Sequence, residues 1–284
     1  MNYAIVTPVR NETENLSRLA ESLCAQSLRP SAWMIVDTGS DDGTPAMIAE
    51  LIAEHDWIAT CTSTAGESPT RARAIVHGFN VGVQELGDLP EVVVKLDADV
   101  SMEPDYFERL VAAFREDEHL GIASGTCFER EQGEWTQRHV TGDHVWGATR
   151  AYRMDCVPEM MELEPCMGWD GLDEIRVQLR GMRTQTFVDL PFRHHRQEGG
   201  RELTSLHHGD ALGRASWYMG YRPSYLMMRA LYRLPREPAA IGMLWGYAAA
   251  AATRAPRCPD ERVINALRER QRLGAALRRG APAS

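Results

Sequence analysis

An α/β fold built on a mostly parallel sheet is what this sequence predicts, and three observations carry the prediction. Short apolar segments (Tyr3–Thr7, Trp33–Val36, Trp57–Cys61, Val92–Leu96, Gly121–Gly125) alternate with longer stretches whose apolar residues recur at helical spacing, the pattern of repeated strand–helix units. Val92, Val93 and Val94 form a β-branched run, as in a strand covered on both faces. The connections are short and polar, with the turn Thr38-Gly39-Ser40-Asp41-Asp42-Gly43-Thr44 the clearest of them, as crossover units require.

Each element follows in order. Tyr3–Thr7 leaves through the loop Pro8-Val9-Arg10-Asn11-Glu12, and Asn11 or Thr13 caps a helix carrying Leu16, Leu19, Ala20 and Leu23. Trp33–Val36 closes on Asp37 and the polar turn, before a helix with Ala46, Ile48, Leu51 and Ile52. Trp57–Cys61 is a third strand. Thr70–Leu86 is a helix with Arg71 and Arg73 in its first turn and a stripe through Ile75, Phe79 and Val83. Val92–Leu96 follows, then a helix from Pro104 to about Arg115, then the strand Gly121–Gly125. Glu129–Thr141 reads as polar and irregular, Gly147–Arg153 as a strand. Cys166–Glu174 opens a helix that runs through Ile175 and Leu179, and Thr184–Val188 is a short strand leading to Phe192-Arg193-His194-His195-Arg196. From Leu206 on, three or four helices mix aromatics with arginines. The expected division is an α/β domain over residues 1–205, with halves of about 1–127 and 128–205, and a helical extension over 206–284.

Composition narrows the function. With 284 residues the chain can bury a full core, and a net charge of -9 excludes nucleic acid as the partner of the chain as a whole. The charge is uneven: from His207 onward there are thirteen arginines and no lysine against five acids, so the tail is basic and the body strongly acidic. Lys95 is the sole lysine, so the preference for arginine is a habit of the whole chain. The tail reads either as a helical flap packed on the sheet or as a surface for peripheral contact with an anionic membrane or lipid-linked acceptor. The six cysteines have no paired metal spacing and most sit among apolar neighbours, as reduced thiols of a cytoplasmic protein do. Met1–Glu12 is too polar for a signal peptide, and Ala239–Ala252 is too short to span a bilayer. The expected location is the cytoplasm, with peripheral contact at the inner face of the membrane.

The chemistry concentrates at strand ends. Asp97 and Asp99 follow the valine strand with only Ala98 between them, and residues two apart on an extended chain project to one side. Paired carboxylates call for a cation, and Mg²⁺ or Mn²⁺ is the natural guest for oxygen donors. In a parallel sheet the carboxyl ends share one edge, so the loops Thr7–Glu12, Asp37–Thr44 and Asp97–Asp99 can meet there. Arg71 and Arg73 at a helix start could donate to a phosphate, and Lys95 could do likewise, with ordinary surface charge an equal reading for Arg73 and Lys95. Asp170 and Asp173, three apart, share one face of a helix start, where capping alone explains one of them. His194 and His195 are adjacent on a strand, so only one of them can face a metal.

The motifs TPVRNE, VDTGSDDGT, KLDADV, GWDGLDE and LPFRHHR, in this order and spacing, resemble those of the family-2 type of inverting glycosyltransferase with the GT-A fold. The resemblance covers about the first two hundred residues. It implies transfer of a sugar from a nucleoside-diphosphate donor, a UDP-sugar or a GDP-sugar with UDP preferred, to a sugar, glycan or lipid-linked acceptor, in glycan, glycolipid or cell-envelope polysaccharide synthesis. It implies that Thr7, Pro8, Arg10, Glu12 and Ser40 border the donor, that Asp37 accepts from the base, and that Asp97 lies near the ribose and the metal. Asp99 becomes the ligand of a Mn²⁺ or Mg²⁺ that bridges the diphosphate. The family often closes its metal site with a histidine from the LPFRHHR region, for which His195 is the first choice; Arg196 then meets the diphosphate. An acidic pair near GWDGLDE holds the base in that family. Here Trp169 stands where the first acid usually is, so Asp170 takes the base position with Asp173 as runner-up, and Trp169 either stacks on an acceptor sugar or packs in the core.

Two other enzyme classes fit less well. A phosphatase with a nucleophilic Asp-x-Asp places the pair after its first strand, and here it follows about the fourth. A nucleotidyltransferase needs a glycine-rich phosphate loop after the first strand, which Pro8–Glu12 is not. A non-catalytic sugar-nucleotide-binding or scaffold protein of the same fold is the alternative from outside the enzymes.

Overall fold

The computed structural model describes residues 1–64, 71–88, 90–138, 144–158, 169–196, 206–235 and 240–272. By internal contacts the chain forms two compact units: Met1–Pro165 with Arg180–Gln197, and Cys166–Leu179 with Glu198–Ser284. The division is not a single cut near residue 205, because one helix from the middle of the chain groups with the C-terminal ones.

The first unit is a mixed α/β body around one sheet. Its strands are β1 (Tyr3–Val9), β2 (Ala32–Asp37), β3 (Ile58–Thr62), β4 (Val92–Leu96), β5 (Val100–Met102), β6 (Leu120–Glu131), β7 (Glu134–Gln137), β8 (Thr149–Arg153) and β9 (Arg183–His194). They lie in the order β3-β2-β1-β4-β8-β6-β9-β5, with β7 hairpinned onto β6. β3, β2, β1 and β4 are parallel, and β8 enters antiparallel between β4 and β6.

Its helices are α1 (Thr13–Cys24), α2 (Thr44–Glu54), α3 (Arg71–Glu85) and α4 (Tyr106–Glu116). Strand alternation decides which face each helix covers. Tyr3, Ile5, Trp33, Ile35, Val92, Val94 and Leu96 share one face and form the main core with α1, α2 and α4. On the other face α3 lies so close that a Cβ on Gly82 would come within 2.4 Å of Val6 Cγ1 and 2.7 Å of Val36 Cγ2.

Three elements depart from the sequence reading. Glu129 is not in an irregular stretch; it lies within β6, and residues 134–137 return as β7. The strand expected at Thr184–Val188 runs from Arg183 to His194 and carries Pro191. β5 is three residues long and sits at the sheet edge beside the end of β9. Exposed polar residues mask the periodicity of β7 and of much of β9, β5 is too short to show one, and register with a neighbour is what makes them strands.

The second unit holds α5 (Trp169–Leu179), α6 (Leu206–Tyr218), α7 (Pro223–Arg233), α8 (Ile241–Ala252) and α9 (Glu261–Arg270). α6 and α8 cross on glycine: a Cβ on Gly246 would meet Asp210 O at 2.1 Å. α9 packs on α5, where Arg270 Nη2 donates to Gln178 Oε1, and Asp260 caps α9 by accepting from the backbone of Arg262 and Val263. Among the described residues no helix is long and apolar enough to cross a membrane.

Candidate functional site

The carboxyl ends of β1, β2 and β4 come to one edge of the first unit, because Val9 pairs with Asp37 and Val6 with Lys95 in parallel register. Side chains stitch the first two loops together. Asn11, held at φ 57, donates from its backbone to Ser40 Oγ at 3.0 Å and from Nδ2 to Asp41 Oδ1 at 2.7 Å, while Asp41 N returns a bond to Asn11 Oδ1. Glu12 N donates to Thr44 Oγ1, and Thr13 Oγ1 to Asp42 Oδ2. Asparagine tolerates a positive φ better than most residues, so the β1 loop turns here without glycine.

The aspartate pair is not carried on extended chain as the alternation argument expects. β4 ends at Leu96, and Asp97-Ala98-Asp99 turn into β5. The two carboxylates nevertheless converge. Ligand atoms of Asp97, Asp99 and His194 all lie within 4.8 Å of one another. His194 Nε2 is 3.3 Å from Asp99 Oδ1, and its Nδ1 is 3.3 Å from Glu129 Oε1.

His194 reaches this position by register. β9 runs parallel to β6 with His194 opposite Glu129 and Phe192 opposite Cys127, so Cys127, Glu129 and His194 share one face and form a second close set of possible ligands. Burial disfavours charge on His194. Its contacts with Asp99, Cys127 and Glu129 outweigh that and push its pKa up to about 12.

The first choice of histidine is thereby corrected: His194 stands with the aspartates and His195 faces the other way. His195 Nε2 is 2.8 Å from Ser101 Oγ, and its ring meets Trp135 edge-on at 5.4 Å. Burial and then the charge of Arg18 push its pKa down to about 4. That side of β9 opens on a cleft of about 250 Å³ lined by Ser101, Met102, Phe128, Trp135, Pro191 and Arg193, among others.

The remaining candidates fall into three groups. Glu12, Arg196 and Asp37 line the loops: Arg196 Nη2 donates to Glu12 Oε2 at 2.6 Å, its Nε is 3.5 Å from Asp99 Oδ2, and it stays 46% exposed. Asp37 uses Oδ1 to accept from Gly39 N and Ser40 N at 3.1 and 2.9 Å. Arg10 is exposed and Pro8 half-buried at the same loops. Thr7 and Lys95, in contrast, point inward. Thr7 is fully buried and its Oγ1 accepts from Trp33 Nε1 at 2.9 Å, so its side chain does not border a nucleoside. Lys95, 2% exposed, pairs with Asp97 and donates to Gly147 O at 3.0 Å; it neutralises Asp97 from within and is not presented to a phosphate.

The third group stands apart. The side chains of Arg71, Arg73, Trp169 and Asp170 lie outside the described residues; their backbones start α3 and α5. Asp173 is fully buried, with Oδ1 accepting from Glu174 N at 2.6 Å.

The donor set suits a divalent cation. Two carboxylates and an imidazole are ligands that Mn²⁺ or Mg²⁺ could take. The sequence reading missed Glu129, the buried partner behind the histidine, because the spacing Cys127-x-Glu129 acquires meaning only once β6 lies beside β9.

Comparison with known proteins agrees with this architecture. Residues 4–168 match the family model described as Glycosyl transferase family 2. The undecaprenyl-phosphate 4-deoxy-4-formamido-L-arabinose transferase of Serratia proteamaculans is 31% identical over 141 residues, 49% of this chain and 40% of that protein. Its counterpart in Proteus mirabilis is 32% identical over 140 residues, 48% of this chain and 39% of that protein. This chain thus spans about two fifths of the length of these curated relatives. Among solved structures, the mannosyltransferase PcManGT from Pyrobaculum calidifontis with GDP-Man and Mn²⁺ superposes with a TM-score of 0.60 at 18% identity, covering 97% of this chain and 80% of its own. A structure of S. aureus TarS with UDP-GlcNAc gives 0.56 at 16% identity, covering 75% of this chain and 65% of that one. At those identities the likeness is one of fold, the GT-A architecture.

Proposed function

Because this chain belongs to glycosyl transferase family 2, we propose that it moves a sugar from a nucleoside diphosphate to an acceptor oxygen, with a divalent cation held by Asp97, Asp99 and His194. The observation that carries the reading is the convergence of those three side chains at a sheet edge where donor-type loops also end. A bound Mn²⁺ or Mg²⁺ would offset the charge that builds on the departing diphosphate.

The protein's own groups divide the remaining work. Arg196, exposed on one side and held by Glu12 on the other, is placed to donate to a phosphate oxygen. Lys95 fixes Asp97, and Glu129 fixes the ring of His194, as partners behind metal ligands do. Asp37 and the stitched Asn11–Asp41 loop pair present the edge on which a nucleobase and ribose would lie. With UDP as the preferred nucleotide, Asp37 accepts from the base.

Transfer is a single displacement with inversion. The acceptor oxygen bonds to the anomeric carbon as the bond to the diphosphate breaks, and Asp170 takes the acceptor's proton. In the same reading Trp169, its neighbour in sequence, stacks on an acceptor sugar or packs in the core. A second reading has a specific support: the curated relatives are named for undecaprenyl phosphate. A polyprenyl phosphate acceptor is already ionised at neutral pH and needs no base, so Asp170 would then orient and not deprotonate. A polyprenyl phosphate acceptor would bring the enzyme to a membrane surface.

The experiment is a panel of UDP- and GDP-sugars incubated with the full chain, with and without Mn²⁺, while nucleoside diphosphate release is followed. Release that needs Mn²⁺ and rises with acceptor supports the reading. Binding without release under any condition supports the scaffold alternative.

A further inference from the structure

The ring of His194 has a second pair of neighbours besides the aspartates. Cys127 and Glu129 stand two apart on β6, so their side chains leave one face of the strand. β9 runs parallel beside them with His194 opposite Glu129. The ligand atoms of Cys127, Glu129 and His194 all fall within 4.8 Å of one another, and the three residues are buried, at 1%, 3% and 8% exposure. Glu129 divides its oxygens: Arg138 Nε is 3.4 Å from Oε2, while Oε1 is 3.3 Å from His194 Nδ1. Cys127 is in no disulfide.

Thiolate, imidazole and a single carboxylate make a different donor set from the one Asp97 and Asp99 supply. Sulfur selects a softer ion than Mg²⁺ or Mn²⁺, and the combination is typical of Zn²⁺, which takes four ligands in a tetrahedron. In such a tetrahedron a nitrogen and an oxygen, each about 2.1 Å from the metal, stand about 3.4 Å apart. His194 Nδ1 and Glu129 Oε1 stand at 3.3 Å. Binding releases the thiol proton of Cys127 and the proton on Nδ1 to solvent, and water fills the fourth position. The other ring nitrogen, Nε2, is 3.3 Å from Asp99 Oδ1. A neutral imidazole metallated at Nδ1 carries its proton on Nε2, so it donates to Asp99 and cannot ligate a cation there.

We propose that Cys127, Glu129 and His194 Nδ1 bind a thiophilic divalent cation of the Zn²⁺ class, and that this ion withdraws His194 from the cation held with Asp97 and Asp99. The site itself rests on β6 and β9 alone. Its effect on the second cation rests on the donor reading, and the two are measured separately.

The probe for the site is Cd²⁺, whose bond to thiolate absorbs in the ultraviolet, titrated into the full reduced chain. The first equivalent should raise this band in wild type, and added Zn²⁺ should remove it. Cys127→Ser and Cys127→Ala, each checked by circular dichroism, should lose the band. Asp99→Asn should keep it, and so should Cys24→Ser, which removes an exposed thiol 3.5 Å from His55. Wild type without the band, a band that survives in both Cys127 variants, or one lost in Asp99→Asn or Cys24→Ser overturns the site. For the effect on the second cation, Mn²⁺ bound in the presence of UDP or GDP is followed by electron paramagnetic resonance as Zn²⁺ is added. Zn²⁺ should release Mn²⁺ from wild type at concentrations at least about tenfold lower than from Cys127→Ser. Equal concentrations would mean that Zn²⁺ competes at Asp97 and Asp99 directly, and would overturn the withdrawal of His194. A wild type that shows the Cys127-dependent Cd²⁺ band and binds no Mn²⁺ would support the site and count against the donor reading.

Discussion

His194 Nε2 lies 3.3 Å from Asp99 Oδ1, while His195, the first residue past the strand, turns to Ser101. The pair is therefore a built-in control. His194→Ala should lower Mn²⁺-dependent turnover by about 100-fold or more, the equivalent of losing part of the cation's charge stabilisation. His195→Ala should stay within a few-fold of wild type. Initial rates of nucleoside diphosphate release at saturating donor test this, and the reverse ranking would return the ligand role to His195.

Glu129 stands directly behind His194, its Oε1 3.3 Å from Nδ1, with Arg138 Nε 3.4 Å from its second oxygen. Glu129→Gln keeps the size and loses the charge that orients the imidazole. Mn²⁺ affinity should fall by about 10- to 100-fold, read by titration calorimetry, with a melting curve to confirm folding. Unchanged affinity would make Glu129 a packing residue only.

Asp170 separates the two acceptor classes. With a hydroxyl acceptor Asp170→Asn should cost about 10²- to 10⁴-fold in turnover with donor affinity intact, the range a general base supplies. With a polyprenyl phosphate acceptor the same variant should lose less than about tenfold, because no proton has to be removed. Wild-type turnover with a hydroxyl acceptor would reject Asp170 as the base.

Thr7 is a structural residue, since its hydroxyl accepts from the buried indole of Trp33 at 2.9 Å. Thr7→Val keeps the shape and leaves that N–H without an acceptor, at a cost of about 1–3 kcal/mol. Chemical denaturation should register the loss, and the KM for the donor should not move. A raised KM with full stability would return Thr7 to the donor site.

The alternation of strand and helix through β4, and the mostly parallel sheet it implies, was legible because apolar segments alternate with helical stripes. The loops that close on Asp37 and Asp97 were legible for the same reason. What escaped the sequence depended on pairing. β5 is too short at three residues to show a period, β9 alternates regularly only towards its end, and without their register His194 cannot be told from His195. Thr7 and Lys95 sit at motif positions that invite a ligand role, yet alternation turns one to Trp33 and the other to Asp97. The grouping of α5 with the C-terminal helices rests on contacts such as Arg270 with Gln178, 92 residues apart, that no local pattern encodes.

Electron paramagnetic resonance of Mn²⁺ titrated into the full chain, with UDP or GDP present, tests the cation site most directly. Wild type should remove free Mn²⁺ from the spectrum with a single class of bound ion, and Asp99→Asn should weaken that binding by about 100-fold or more. Equal Mn²⁺ uptake by wild type and Asp99→Asn would contradict the account, because the cation would then lie somewhere other than between Asp97, Asp99 and His194.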